Sequence, residues 1–185
     1  AEYWIGKYPV TNVQYAEFVQ AKGYETPRHW EKGMIHQSKR NHPVVCVSWL
    51  DAKAFCLWVS NGSGRIHLPS EAQWEKAARG TDERKYPWGN QSPSTSLLNY
   101  NSYEGGTTAV GSYPSGVSPY GAYDMAGNVW EWMEDWYAVD FYCKSPAVNP
   151  TGPLYGANRV MRGGCWFNDE RIVRSAIRFK NPYLL

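Results

Sequence analysis

The residues best suited to chemistry lie in one short stretch, 121–132, which holds two carboxylates, two tryptophans and two glycines. The side chains of Asp124 and Glu131 offer oxygen atoms, as do the backbone carbonyls of Gly127 and Val129. Calcium in proteins is bound by several carboxylate and carbonyl oxygens. The stretch is therefore a candidate site for a hard cation. A buried aromatic strand after a tight turn is the alternative, and the residue types alone favour it.

A second oxygen-rich run begins at Asn99 and Tyr100 and continues to Glu104, where two glycines follow. Amide, carboxylate and backbone oxygens could again meet around a cation. An ordinary Asn/Gly turn uses the same residue types. The residue types leave a cation site and an ordinary turn both open for this run.

The C-terminal segment, 159–185, mixes apolar and polar residues without a regular period. A half-buried strand should alternate between the two types, which this segment does not do. A binding surface on a rigid frame can instead expose aromatic and aliphatic side chains. Burial of the same residues in a strand-loop-strand core is the alternative. We favour the surface interpretation, which predicts exposed Phe167, Ile177, Phe179 and Tyr183.

Three helices with clear boundaries must position these residues. Thr11 is a good N-cap for a helix that Gly23 ends. Ser48, with Asp51 three residues later, predicts a second helix with a capping box. Ser70 and Gln73 predict a third helix that runs to Arg79, before Gly80.

Short strands complete the pattern, at 3–8, at 65–68 and around 129–133, where two unlike faces alternate. A short buried run is expected at 44–47, and 24–43 reads as a long surface loop. The 185 residues are enough for one domain with a substantial core. Ten Trp, 14 Tyr, 17 Gly and 12 Pro indicate a loop-rich α+β fold held by aromatic packing.

Charge and cysteine usage exclude several classes of function. A formal net charge of +2 gives no electrostatic case for binding nucleic acid. There is no apolar run near the ~20 residues that a membrane helix needs, and no signal-peptide pattern, so a cytoplasmic location is favoured.

The four cysteines lack C-x-x-C spacing, which argues against zinc and favours reduced thiols over disulfides. The start in a strand-like segment suggests part of a longer protein.

Four motifs, in order along the chain, resemble the formylglycine-generating-enzyme (sulfatase-modifying factor) domain family. They are WIGKYPVTN (4–12), LPSEAQWEKAARG with YPWGN (68–90), GAYDMAGNVWEW (121–132) and RVMRGG with Trp166 (159–166). The resemblance spans nearly the whole chain. It implies one C-type-lectin-like domain over 1–185, with a small twisted antiparallel sheet, two to three helices and many irregular loops.

The resemblance also implies structural calcium. One family calcium site maps onto Asp124, Gly127, Val129 and Glu131, which all match in type. The other maps onto Asn99 and Tyr100. Its remaining ligands do not transfer, because Ser102 stands where we align a family Asp.

The catalytic residues of the family do not transfer. Formylglycine-generating enzymes bind copper(I), which prefers thiolate ligands, through two cysteines. In this alignment those positions hold Asn168 and Val173, while Cys165 replaces a serine. The chain is therefore predicted to bind no copper and to lack the parent activity.

The 159–178 run is similar to the variable proteins of diversity-generating retroelements, which carry this domain without catalysis. The similarity implies a diversified face that binds a protein or another macromolecule. Its predicted ligand-binding residues are Cys165, Phe167, Asn168, Asp169, Ile172, Ser175, Ile177, Phe179, Asn181 and Tyr183. Arg174 and Arg178 are expected to be structural. A sensor or regulatory domain of a larger signalling protein, such as a kinase, is the main alternative, ahead of a copper-dependent oxidase.

Overall fold

The computed structural model describes residues 2–183, and short helices and strands are joined by long irregular segments. The helices are α1 (Asn12–Lys22), α2 (Trp49–Val59), α3 (Glu71–Arg79) and the short α4 (Phe141–Lys144). The strands are β1 (Glu131–Trp136), β2 (Arg159–Arg162) and β3 (Phe179–Asn181). Short 3-10 helices occur at Gln37–Lys39 and Pro114–Gly116.

The three predicted helix starts are confirmed. Thr11, Ser48 and Ser70 each accept a hydrogen bond from a backbone N–H in the first turn, and each start has a complete capping box. Such caps stabilise a helix by about 1 kcal/mol each. Gly23, at φ 59°, ends α1 in the left-handed conformation, which costs glycine little because it has no Cβ.

The sheet is antiparallel, in the order β1-β2-β3. Trp132 lies opposite Met161, and Val160 lies opposite Lys180. The pairing of β1 with β2 shifts between Trp132 and Trp136, where a bulge or irregularity interrupts the register. The small antiparallel sheet, the helices and the irregular connections confirm the predicted α+β class.

The two faces of β1 differ, as the sequence predicts. Met133 is buried in one hydrophobic cluster with Trp74 of α3 and Val160 of β2. On the other face, the indole N–H of Trp132 donates to the carbonyl of Val47 at 3.1 Å. This second face therefore packs against the loop that precedes α2.

Three sequence expectations about local structure are wrong. Residues 3–8 and 65–68 form no strands. A strand needs a neighbouring strand for its hydrogen bonds. The carbonyl of Lys7 instead accepts from the single N–H of Tyr123, and the His67 ring bonds the next carbonyl, that of Leu68. The run 44–47 is not buried, and Cys46 in it is exposed.

The four cysteines are free, as the sequence predicts. In the described part of the chain, no helix is both long enough and apolar enough to cross a membrane.

Candidate functional site

A cavity of about 640 Å³ beside the second face of β1 includes several of the predicted site residues in its lining. We call it the aromatic groove. Its walls come from 25–28, 44–47 and 165–167, and its aromatic lining consists of Tyr15, Trp130, Trp132, Trp166 and Phe167. Ligand sites in proteins are commonly clefts of this size with aromatic walls and a few polar groups.

The strands position the aromatic groups. Trp130, immediately before β1, stacks on Phe179 of β3 with ring centroids 5.0 Å apart. The backbone N–H of Trp166 donates to the carbonyl of Asn128 at 3.0 Å. The chain after β2 is therefore held next to the start of β1, where both line the same groove.

Two thiols line the groove in different environments. Cys46 is exposed, and its φ of 56° is uncommon for a residue with a Cβ. Cys165 is buried, and both its backbone N–H and its thiol donate to Asn168 Oδ1, at 2.9 and 3.1 Å. Burial raises the pKa of Cys165 to about 11. The Cys165 thiol is therefore protonated at neutral pH and is a weak nucleophile.

The predicted ligand-binding residues divide by exposure. Phe167 and Phe179 are exposed, at 57% and 49%. Six are partly exposed: Asn168, Asp169, Ile172, Ile177, Asn181 and Tyr183. Cys165 and Ser175 are buried, so their placement on an exposed face is wrong. Ser175 is buried because its backbone is held against another segment: its N–H donates to the carbonyl of Lys85.

The partly exposed residues do not all face the groove. Asn181 joins Cys165 and Phe167 in its lining. Asp169 instead forms an exposed ion pair with Arg171 at 2.6 Å. Tyr183 packs edge-on against Trp136. The structure thus brings part of the predicted set together and places the rest along a wider surface.

The positions of the family's copper ligands hold residues with structural roles. Val173 is wholly buried in a cluster with Tyr86, Leu98 and Ala126. Asn168 closes the turn that begins at Cys165. Neither side chain is a soft metal ligand.

The other side of the C-terminal segment is anchored by a set of buried and partly buried charges. We call it the acid–arginine cluster: Glu71, Glu75, Arg162 and Arg178. Glu71 pairs with Arg162 at 2.6 Å and with Arg178 at 2.7 Å. Arg162 also donates to the Ser175 carbonyl at 2.7 Å. The arginines therefore fix the segment to α3, which confirms the structural role expected of Arg178.

The residues of the first predicted calcium site lie around a turn. Asp124 has a φ of 58°, and its Oδ2 accepts from the Gly111 N–H at 2.8 Å. Burial raises the pKa of this carboxyl. Burial also raises the pKa of Glu131, to about 8, and the nearby Asp124 charge adds to the rise. A bound cation would favour the charged form of both groups.

The second predicted calcium site adjoins the first. The Asn128 N–H donates to the carbonyl of Asn99 at 2.8 Å, and a Cβ at Gly127 would overlap that carbonyl. The side-chain oxygen of Asn99 is buried and has no hydrogen-bond partner within residues 2–183. An unpaired oxygen of this kind fits a cation ligand.

No three His, Cys, Asp or Glu side chains in the described residues are grouped to hold a metal ion. A cation here would therefore need backbone carbonyls and amide oxygens in addition to the carboxylates of Asp124 and Glu131, which are the ligands that the resemblance implies. Calcium remains a prediction.

The wall of the groove formed by residues 25–28 was not predicted from the sequence. The loop at 24–43 was predicted only as a polar surface loop, yet part of it lines the groove. Asn12 holds this loop in place, because its side-chain amide donates to the carbonyls of Lys39 and His42 at 3.0 and 3.2 Å. The Asn12 Oδ1 in turn accepts from the Trp30 indole at 2.9 Å. Such pairings between distant segments leave no local pattern.

Comparison with known proteins agrees with the motifs. The family model described as "Sulfatase-modifying factor enzyme 1-like domain" matches residues 1–183. The serine/threonine-protein kinase pkn1 of Chlamydia caviae is 36% identical over 97% of this chain. The chain spans only 30% of that kinase.

Named enzymes are also similar. The formylglycine-generating enzyme of Thermomonospora curvata is 33% identical, over 90% of this chain and 71% of the enzyme. The hercynine oxygenase of Mycolicibacterium smegmatis is 30% identical, over 94% of this chain and 48% of the enzyme. Relatives thus include proteins with different named activities, and similarity alone does not choose between them.

Solved structures show the same fold. Treponema denticola variable protein 1 matches with a TM-score of 0.74 and 23% identity, over 97% of this chain and 78% of that protein. PvdO from Pseudomonas aeruginosa matches with a TM-score of 0.80 and 26% identity, over 96% and 74%. These likenesses confirm the predicted C-type-lectin-like sulfatase-modifying-factor fold.

Proposed function

This chain belongs to the sulfatase-modifying factor enzyme 1-like domain family, and we propose that within it the chain is a non-catalytic ligand-binding module. The binding face consists of the aromatic groove with the exposed side of 165–183. Its ligand is a protein or another macromolecule. The face is diversified by a retroelement, so that this sequence is one member of a repertoire.

The observation that carries the proposal is the division of the C-terminal segment into an anchored side and an exposed side. Val173, Ser175 and Arg178 are held in the core or by the acid–arginine cluster. Phe167 and Phe179, on the same segment, are exposed. Aromatic side chains on a rigid frame supply much of the binding energy in recognition surfaces. Because one side of the segment is held by the core, residues on the exposed side can vary without disturbing the fold.

The absence of a catalytic pair at the expected positions also supports the proposal. Asn168 and Val173 cannot supply thiolates, and the pKa of Cys165 is raised well above neutral. The expected result of mixing the protein with copper(I) and a cysteine-containing peptide is no stoichiometric copper binding at 168–173 and no oxidation of the peptide. Turnover of that peptide would overturn the proposal.

A library at exposed and partly exposed positions provides the direct test. Phe167, Asp169, Ile172, Ile177 and Phe179 would be randomised together, and the variants screened for folding by thermal unfolding. A diversified face predicts that most variants fold. A matched library at Val173, Ser175 and Arg178 should rarely fold. Equal tolerance of the two libraries would contradict the proposal.

A sensor or regulatory domain of a larger signalling protein is the second candidate. The observation in its favour is the similarity to chlamydial kinases, in which the matching region makes up 30% of the protein. Sequencing the gene with its neighbours separates the two. A nearby template repeat and reverse transcriptase favour the diversified module, whereas a kinase domain in the same reading frame favours the regulatory domain.

Calcium is proposed as a structural ion of this module at two sites, one held by Asp124, Gly127, Val129 and Glu131 and the other by Asn99 and Tyr100. A titration of the metal-free protein with calcium should raise the melting temperature. Asn99→Ala removes the unpaired side-chain oxygen, and should reduce that rise.

A further inference from the structure

A separate cavity, of about 700 Å³, lies between the last turns of α1 and the second half of α2. We call it the α1–α2 cavity. It shares no lining residue with the aromatic groove, so the proposed binding face does not include it. Its lining consists of Phe18 and Lys22 from α1, Tyr24 just after that helix, Ala54, Leu57 and Trp58 from α2, and Asn61 and Gly62 beyond it.

The Tyr24 ring is fixed at this cavity by two hydrogen bonds. Gly23, in the left-handed conformation, ends α1 and turns the chain, and the N–H of Tyr24 donates to the carbonyl of Val19 at 3.1 Å. The Tyr24 hydroxyl donates to Asp51 Oδ1 of α2 at 2.9 Å. A ligand therefore finds this ring already in place, which lowers the entropy cost of binding.

Three aromatic rings form much of the apolar lining. Phe18 is buried, and its ring centroid lies 4.6 Å from that of Tyr24 and 5.7 Å from that of Trp58. Tyr24 and Trp58 are partly exposed, and Leu57 is exposed. The apolar surface that a ligand can reach therefore comes from Tyr24, Trp58 and Leu57, with Phe18 packed beneath the two rings. Aromatic side chains of this kind suit a flat ring, which they contact by stacking or edge-on packing.

Lys22 is the charged member of the lining, which contains no Asp or Glu among the described residues. Lys22 has no ion pair within 4 Å in the described part of the chain. The Asp51 carboxylate lies outside the lining and is already bonded, because Oδ1 accepts from Tyr24 and Oδ2 accepts from the Ser48 N–H at 2.7 Å. A cation beside apolar walls, without a counter-ion in the cavity, is complementary to a ligand with one negative charge and an apolar ring.

We propose that the α1–α2 cavity binds a small aromatic carboxylate, with the Lys22 ammonium donating to the carboxylate and the ring packing against Tyr24, Trp58 and Leu57. The inference does not depend on the proposed function, because the two sites have no residue in common. All four contact residues are exposed or partly exposed. Charge-assisted hydrogen bonds are roughly twice as strong as neutral ones, so a carboxylate should be preferred over an uncharged group of the same shape.

The experiment is isothermal titration calorimetry of the full chain with indole-3-acetate, and with indole-3-acetamide as the uncharged control of nearly the same shape. The acid is expected to bind with a Kd of about 1 mM or tighter, as is usual for a ligand of this size. The amide should bind more weakly, by about threefold or more. Added salt should weaken binding of the acid and leave binding of the amide nearly unchanged, because salt screens an exposed charge.

Lys22→Met separates the charge from the walls. It keeps an unbranched side chain and removes the ammonium, so the acid should lose most of its advantage while the affinity for the amide stays the same. Lys22 also complements the dipole at the end of α1, so the result is read as the ratio of the two affinities and not as a change in stability. Lys32→Met, at an exposed position outside the lining, is the matched control and should change neither affinity.

Trp58→Ala tests the aromatic wall. Loss of this ring should weaken binding of the acid and of the amide alike, by about fivefold. Circular dichroism checks that the variant folds.

No binding of the acid at about 10 mM would overturn the proposal, as would equal binding of the acid and the amide to the wild-type protein. Unchanged preference for the acid in Lys22→Met would do the same, because the ligand would then lie elsewhere. Unchanged affinities in folded Trp58→Ala would also overturn it. If Trp58→Ala does not fold, the ratio of acid to amide binding in Lys22→Met decides the question, since that substitution is at an exposed position.

Discussion

The two sides of the C-terminal segment differ in how they are held. On one side, the carboxylate of Glu71 binds two arginines, and the Ser175 carbonyl accepts from Arg162. On the other side, Phe167 and Phe179 are about half exposed. Contacts on the first side are buried and charged, and those on the second are apolar and partial. One short segment thus combines a side that is fixed to the core with a side whose aromatic residues are exposed.

The largest loss of stability is expected when the ion pairs of the acid–arginine cluster are broken. Glu71→Gln removes the negative charge that two arginines share, and leaves the partly buried Arg178 without an ion pair among residues 2–183 and the buried Arg162 with Glu75 as its remaining partner. Breaking a buried ion pair by removing one partner costs about 3–5 kcal/mol. Urea unfolding should show a loss of stability in that range.

Asp169→Asn is the matched control, because it removes a carboxylate from an exposed pair with Arg171. Exposed pairs contribute about 0–1 kcal/mol. Similar losses for the two variants would mean that the anchored side is no more fixed than the exposed one.

Asp135 extends the anchored region and makes its stability depend on pH. Burial, with the nearby Glu71 and Glu134 charges, raises the pKa of Asp135 to about 6. The folded state therefore takes up a proton at this carboxyl more readily than the unfolded state does. As pH falls from about 7 to 4, the wild-type protein should gain about 2 kcal/mol relative to Asp135→Asn.

Urea unfolding of both proteins at the two ends of this pH range measures that difference. A gap that does not change with pH would show that the Asp135 carboxyl is not perturbed by folding.

Phe179→Ala tests the boundary between frame and surface. The ring is exposed on one side but stacks on Trp130. Such aromatic pairs contribute about 0.5–1.5 kcal/mol beyond their burial. Thermal unfolding should show a loss near 1 kcal/mol, and Phe179→Tyr should restore most of it by keeping the stacked ring.

Phe167→Ala should have the smallest effect. More than half of this side chain is exposed, and substitutions at such positions usually change stability by about 0.5 kcal/mol or less. Urea unfolding measures the change. A loss as large as that of Glu71→Gln would place Phe167 in the frame and remove the contrast between the two sides.

Much of the local structure was predictable because its causes are local. A capping serine or threonine bonds an N–H three residues away, so the starts of α1, α2 and α3 can be read from neighbouring residues. The unlike faces of β1 likewise follow from alternation along the chain. The expected strands at 3–8 and 65–68 failed because a strand also needs a partner.

The candidate site was predictable only in part. The exposure of Phe167 and Phe179 followed from the irregular pattern, but the burial of Cys165 and Ser175 did not. Both depend on groups that lie far away along the chain or that a turn brings into contact, such as Lys85 and Asn168. The loop walls at 25–28 and 44–47 carried no signal for the same reason.

The sequence alone determined the family, the starts of α1, α2 and α3 and the absence of a thiol pair at the copper positions, because motifs and residue types are properties of the chain itself. Tertiary structure decided which side chains share a surface. The pairing of Glu71 with Arg162 and Arg178 joins residues 91 and 107 positions apart. Packing also left one oxygen of Asp135 without a donor among residues 2–183. Such pairings depend on how distant segments pack, which no local pattern of residues records.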